Sequence, residues 1–372
     1  MAKKQKTFSL PLTIAACLLA FVIGAVAGFA MWTVYKNPKG GDVYVSGDLQ
    51  IHFMELGNNY TGDSIYIKAG ETDILIDAGS RANSTDATSE YIDRYCTDGT
   101  LEYVIATHAD QDHIAGFAGS SSSPSMFERY KCETIIDFAL TNKTTQVYQN
   151  YVKKRDAAVA QGAKHYNALQ CFKGENGAQR VYELSDGIKM EILYQEFYEN
   201  KSSDENNYSV CLMFNQGDKH FLFTGDLEED GEISLVESNE LPKVELFKAG
   251  HHGSKTSSND VLLKVIEPEI VCVCCCAGSV EYTQNFENTF PTQAMIDRVS
   301  LYTDRVYVTT VGEVVYNADK EKYEDNGFGP LNGNIVVTSN KSGVNVQCSH
   351  DNAVLKNTKW FKDNRTMPSA WS

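Results

Sequence analysis

Six consecutive residues, His108-Ala109-Asp110-Gln111-Asp112-His113, hold two imidazoles and two carboxylates. They follow Leu101-Glu102-Tyr103-Val104-Ile105, an apolar and β-branched run that reads as a strand. A strand ending in alternating His and Asp can aim several ligand atoms at one point beyond its carboxyl end. Imidazole and carboxylate are the ligands of zinc, manganese and iron sites. Without a cation the crowded carboxylates repel one another. A solvated acidic loop with two surface histidines is the plain alternative, and it leaves that crowding unexplained. Two more strand ends carry the same chemistry. Phe221-Leu222-Phe223-Thr224-Gly225 leads into Asp226, and Val244–Gly250 leads into His251-His252-Gly253-Ser254. Ser254, Lys255, Thr256 and Ser257 could hold a phosphate through hydroxyls and one ammonium, or form a plain polar loop.

These three points need a scaffold of strands. Leu49–Leu56 alternates and reads as a strand, Asp63–Lys68 as a second and Thr72–Asp77 as a third, with a hairpin turn at Ala69-Gly70-Glu71. Ala87–Cys96 reads as a helix leading into the ligand strand. Glu133–Asp137 reads as a strand, Thr144–Gly162 as a helix, and Val181–Tyr194 as two strands about Asp186-Gly187. Val210–Phe214 and Ile270–Cys276 read as buried strands. The second of these carries Cys272, Cys274, Cys275 and Cys276, whose side chains must alternate between faces. They therefore read as small hydrophobes rather than as a metal knuckle. A helix is expected over Thr292–Ser300, and closing strands at Arg305–Thr310, Val314–Tyr316 and Ile335–Thr338.

The N-terminus has a different character. Lys3, Lys4 and Lys6 precede Phe8–Trp32, 25 residues without a charge. That run is long enough to span a hydrocarbon core of about 30 Å as a helix. Trp32 and Tyr35 lie where an interfacial aromatic belt falls, and the lysines favour a cytoplasmic N-terminus. The expected organisation is a basic N-terminus at 1–7, a transmembrane signal anchor at 8–35, a linker at 36–48, a hydrolase domain at 49–347 and a C-terminal tail at 348–372. The catalytic domain is then outside the cytoplasm. A cleaved signal peptide is the alternative, since Ala-Val-Ala-Gly-Phe-Ala offers small residues. The 372-residue chain carries a net charge of −16 and no basic block after the N-terminus. That counts against tight, non-specific gripping of long nucleic acid. It does not count against a nuclease whose positive charge is a bound metal.

The motif at His108–His113 resembles the metallo-β-lactamase superfamily signature H-x-H-x-D-H, with Asp110 in place of the second histidine. That His-x-Asp-x-Asp-His form is similar to the C-terminal hydrolase domain of competence proteins of the ComEC type. The resemblance extends over roughly residues 49 to 347. It includes Gly62-Asp63-Ser64, Asp77-Ala78-Gly79, Asn206–Ser209 and the His251–Ser254 stretch. It implies an α/β fold, an αβ/βα sandwich of two mixed sheets with helices outside. It implies two divalent ions, manganese or zinc. One ion would take His108, Asp110 and Asp226, and the other Asp112, His113, Asp226 and His251. Asp77 would hydrogen-bond the ligand loop, and His252 would take an acid or outer role. Asp112, His252 and Lys255 would serve catalysis. The implied activity is metal-dependent hydrolysis of a phosphodiester or nucleic acid. The competing readings are a lactone or thioester hydrolase, or a metal-stabilised binding domain without catalysis.

Overall fold

The computed structural model describes residues 48–185 and 187–372. The expected span at 8–35 and nearly all of the linker lie outside the described residues. Among the described residues no helix is long and apolar enough to cross a membrane.

The first half of the chain builds one sheet. β1 (Leu49–Phe53), β2 (Ile65–Ala69) and β3 (Thr72–Ile76) form an antiparallel meander. Then β4 (Thr100–Ile105), β5 (Lys131–Asp137) and β6 (Lys164–Asn167) add in parallel, joined through α1 (Ser84–Ile92), α2 (Gln111–Ala118), α3 (Met126–Arg129) and α4 (Gln146–Ala160). A short α5 (Ala168–Lys173) leads into the second half.

The second sheet begins with β7 (Val181–Ser185), β8 (Ile188–Leu193), β9 (Cys211–Gln216) and β10 (Lys219–Phe223), all antiparallel. It continues in parallel through β11 (Leu246–Lys248), β12 (Ile270–Ala277) and β13 (Val306–Asn317) and closes with antiparallel β14 (Lys322–Pro330). α6 (Glu229–Ser238), α7 (Asp260–Ile266) and α8 (Gln293–Val299) lie between those strands in sequence. The chain then returns to the first sheet with β15 (Ile335–Asn340) and β16 (Gly343–Cys348), β15 pairing with β1. Each sheet has eight strands, ordered β16-β15-β1-β2-β3-β4-β5-β6 and β14-β13-β12-β11-β10-β9-β8-β7.

Alternation along the strands divides the core. Ile188, Met190, Phe221, Phe223, Cys272 and Cys274 pack with Ile51, Ile67, Val104 and Ile135 between the sheets. Their neighbours Leu222, Phe247, Val271, Val273 and Cys275 face the other way, against Leu235, Leu262 and Met295 of the helices. This is the αβ/βα sandwich. The run of cysteines is buried and splits between the two faces as the strand period demands, and the nine described cysteines are all free.

Residues 348–372, read from sequence as a tail, are packed into the second core. Trp360, Phe361 and Trp371 are buried there, on and around α9 (Lys359–Asn364). The segment also ties down the 286–291 loop, where Arg365 donates to the carbonyls of Pro291 at 2.9 Å and Thr289 at 2.7 Å.

Candidate metal centre

The candidate residues cluster at the carboxyl ends of four parallel strands, β3 and β4 in one sheet and β10 and β11 in the other. Carboxyl ends of parallel strands are where α/β sheets present their sites, because strand-to-helix loops converge there. The turn after β3 places Asp77, and α2 rises from the His108–His113 loop. Gly116 lets that helix approach the turn: a Cβ there would stand 2.0 Å from the Ala78 carbonyl oxygen.

His113 Nε2 and His252 Nε2 are 3.3 Å apart, and each lies 3.1 Å from Asp226 Oδ2. Asp112 Oδ2 is 3.4 Å from His252 Nε2. The triangle of His113 Nε2, His252 Nε2 and Asp226 Oδ2 has the edge length of donors that share a zinc ion about 2.0 Å from each. The hydrogen bonds on the far side of both rings fix which nitrogen faces inward. His252 Nδ1 lies 2.9 Å from the Cys274 carbonyl, which can only accept, so Nδ1 carries the proton. His113 Nδ1 lies 2.7 Å from Asp77 Oδ2 and donates to it. Two imidazole lone pairs and one carboxylate oxygen therefore meet at one point, with Asp112 Oδ2 beside His252 Nε2. Burial works to keep both rings neutral. Against it, Asp226 and Asp77 hold His113, and Asp226 and Asp63 hold His252, well above the usual histidine range. The same contacts overcome burial to hold Asp226 well below the carboxylate range. The cluster calls for positive charge at its centre, and a divalent ion fits the donor set.

Asp77 is fully buried at φ 57° and accepts from Thr107 N at 2.8 Å and Thr107 Oγ1 at 2.7 Å as well as from His113. It braces the ligand loop in the manner of outer partners at metal sites. Asp63 also joins the cluster, but from behind: its Oδ1 lies 3.1 Å from His252 Nδ1, on the side away from the shared point. Its Oδ2 pairs with Lys248, a lysine only 1% exposed whose Nζ also lies 3.0 Å from the Gly225 carbonyl and 3.3 Å from Asp226 Oδ1.

The two neighbouring histidines part company. His252 is buried at the centre. His251 turns out toward the cleft, with Nδ1 3.1 Å from Glu228 Oε1 and 3.3 Å from Thr256 Oγ1. Both sit at positive φ, 45° and 53°. Such conformations cost about 1–3 kcal/mol each for non-glycine residues and persist only where the surroundings impose them. The geometry thus puts His252, not the expected His251, with Asp112, His113 and Asp226. His108 and Asp110 form a separate edge: His108 Nε2 is buried without a hydrogen-bond partner, 3.6 Å from Asp110 Oδ2, while Asp110 Oδ1 pairs with Lys143. Lys255 is not brought in; its Nζ lies 3.1 Å from Asn288 Oδ1 on the exposed side.

Above the centre is a cleft of about 350 Å³ lined by Arg81, Asp110, Asp112, His251, Glu281 and Tyr282 among others. The Tyr282 hydroxyl donates to Asp112 Oδ2 at 2.7 Å, and Arg81 pairs with Glu281 at 2.8 Å over the Tyr60 ring. Phe290 places its ring 6.1 Å from that of His252. A larger groove of about 660 Å³ lies elsewhere, by Lys131–Thr134 and Lys164, and holds none of these groups. A second acidic grouping, Asp73, Cys96 and Asp98, is satisfied internally, Asp73 by Lys68 at 2.8 Å. Gly62-Asp63-Ser64 hints at Asp63 from residue types alone; no local pattern marks Lys248, Tyr282 or Glu228.

Residues 57–123 of the chain match the model of the metallo-beta-lactamase superfamily. Among curated proteins it is similar to ComE operon protein 3 of Bacillus subtilis (strain 168), 26% identical over 176 residues, 46% of this chain and 20% of that protein. It is similar also to competence protein ComA of Neisseria gonorrhoeae, 36% identical over 117 residues, 31% of this chain and 15% of that protein. The matched regions thus span a fifth or less of those relatives. Among solved structures, the metallo-beta-lactamase fold protein YhfI from Bacillus subtilis aligns over 70% of this chain and 95% of its own, at 10% identity and a TM-score of 0.42. The resemblance read from the motifs therefore holds for the superfamily and for its competence-protein relatives.

Proposed function

We propose that this protein is a metal-dependent hydrolase acting on phosphodiesters, with nucleic acid as the substrate class. The observation that carries the reading is the meeting of His113 Nε2, His252 Nε2 and Asp226 Oδ2 at mutual distances of 3.1–3.3 Å, with Asp112 Oδ2 3.4 Å from His252 Nε2, beneath an open cleft. A divalent ion held there supplies Lewis acidity toward a phosphoryl oxygen and toward the water that attacks it. The chain's own residues do the rest. Asp77 and the Cys274 carbonyl fix the two ring orientations, Lys248 balances Asp63 and Asp226, and Tyr282 holds Asp112 in place. The cleft wall carries four carboxylates against one guanidinium, and that one, Arg81, is already paired. An anionic substrate then depends on the metal for its attraction, and its binding should be only weakly salt-dependent. The competence-protein relatives favour a nucleic-acid substrate over other esters.

The test is hydrolysis of bis(p-nitrophenyl) phosphate and of single- and double-stranded DNA by the full chain. Activity should vanish in chelator and return with manganese or zinc. Hydrolysis of lactones or thioesters, with none of phosphodiesters, would move the assignment to another ester class. A stable fold that binds metal and turns over nothing would leave a binding domain.

We also propose that residues 8–35 anchor the chain in the cell membrane with the hydrolase domain outside the cytoplasm. The support is the lysine cluster before a long uncharged run. Protease added to intact, wall-stripped cells should digest the domain; complete protection would overturn this orientation.

A further inference from the structure

We propose that the centre takes one divalent ion tightly, and that the Lys143 ammonium provides the positive charge which a second ion would otherwise bring to His108 and Asp110. This rests on the metal-centre reading above.

Three observations carry it. First, both oxygens of Asp226 are committed. Oδ2 belongs to the four-atom focus, and Oδ1 faces the buried Lys248 ammonium at 3.3 Å. Asp226 could reach an ion at His108 only by sharing Oδ2, the oxygen that already serves the first ion. Second, the His108 edge is poor in ligands. It offers His108 Nε2 and Asp110 Oδ2, 3.6 Å apart, against the three or four protein ligands of a zinc site. Third, Lys143 is held in position by its own loop. Buried Glu205 accepts from Thr141 Oγ1 at 2.5 Å and from the Asn142 backbone N–H at 2.7 Å, and Asn142 Nδ2 donates to the Ser202 carbonyl at 2.9 Å. The ammonium this loop delivers pairs with Asp110 Oδ1. Charge then decides the matter. Asp110 and Lys143 cancel, and the His108 imidazole is all that remains on this edge. It has no net negative charge to hold a second dication, and a nearby ammonium opposes one.

The experiment is metal stoichiometry, measured on full-length protein stripped of metal and re-equilibrated with zinc or manganese. Wild type should hold one tight equivalent, and its manganese form should give the spin-resonance signal of an isolated ion. Lys143→Met, which keeps the length and removes the charge, should tighten binding of a second equivalent at least tenfold; Lys143→Arg should not. Asp110→Asn should keep the single tight equivalent, so the proposal stays testable if the methionine variant misfolds. Two equally tight equivalents in wild type, or loss of one on Asp110→Asn, would overturn it, as would identical second-ion affinity in Lys143→Met and wild type. No tight equivalent at all would sink the metal-centre reading itself, a result distinct from these.

Discussion

On the first sheet's side of the centre, the chain leaves β4 and bends into a helix. Asp110 caps that helix with extended backbone, and Asp112 and His113 fall in its first turn. Ordinary helical spacing then sets which of these side chains face the shared point. On the second sheet's side, the chain leaves β11 and places two histidines in succession at positive φ. Neither helix nor strand periodicity applies there, and adjacent side chains diverge, one into the centre and one onto Glu228. A regular element can be read from spacing. A strained loop is specified by what packs around it, here Glu232, which accepts from the backbone of Ser258 and Asn259, and Arg298, which donates to the carbonyls of Ser257 and Ser258.

Substitutions on the two sides should separate by role. The largest effect is expected at Asp112, whose carboxylate joins the four-atom focus. Outer partners of metal ligands typically cost about 10–100-fold, so Asp112→Ala should lower hydrolysis by more than about 100-fold. Circular dichroism should show the fold intact, because the side chain is partly open to the cleft. Full activity with unchanged metal content in that variant would remove the proposed site. Asp77→Asn comes next. It weakens the brace on His113 and Thr107, and should reduce metal affinity or activity by about 10–100-fold. An unchanged affinity would mean that the His113 ring is held by packing alone.

His251→Ala sharpens the contrast, since His251 lies outside the focus. It should keep its metal and lose activity by about tenfold or less, below the cost of disturbing a ligand. The smallest effect concerns the loop's support. Burial raises the Glu232 carboxyl to about 7, against the two backbone N–H groups that favour its charged form. Its folded value lies above its unfolded one, so its contribution to stability is present at low pH and is lost as pH rises through 7. Across pH 5 to 8 this loss should be of the order of 1–3 kcal/mol, and Glu232→Gln should flatten that part of the stability profile. Parallel profiles for the two proteins in chemical denaturation would contradict it.

The same division governs what the sequence alone reveals. Central strands such as β4, β10 and β12 are legible because β-branched or apolar residues run through them, and β12 is buried along its whole length. β14 and β16 are not, since each is an edge strand paired on one side, and Lys322–Pro330 carries charges and glycines with no buried face to impose a pattern. The C-terminal segment gives no periodic signal either; its two tryptophans and Phe361 find their place only once the second sheet and its helices exist. At the site, His108–His113 and Asp226 announce themselves by crowding and by strand ends. The pairing of Lys248 with Asp63 joins the two sheets and leaves no local trace. The choice between His251 and His252 depends on backbone angles that residue types do not encode.

Metal content tests the four-atom centre most directly. Full-length wild type, His252→Ala and His251→Ala would be stripped, re-equilibrated with zinc or manganese, and assayed for bound metal by mass spectrometry. The centre described here predicts that His252→Ala loses the tight equivalent and that His251→Ala retains it. Retention by His252→Ala with loss in His251→Ala would contradict it.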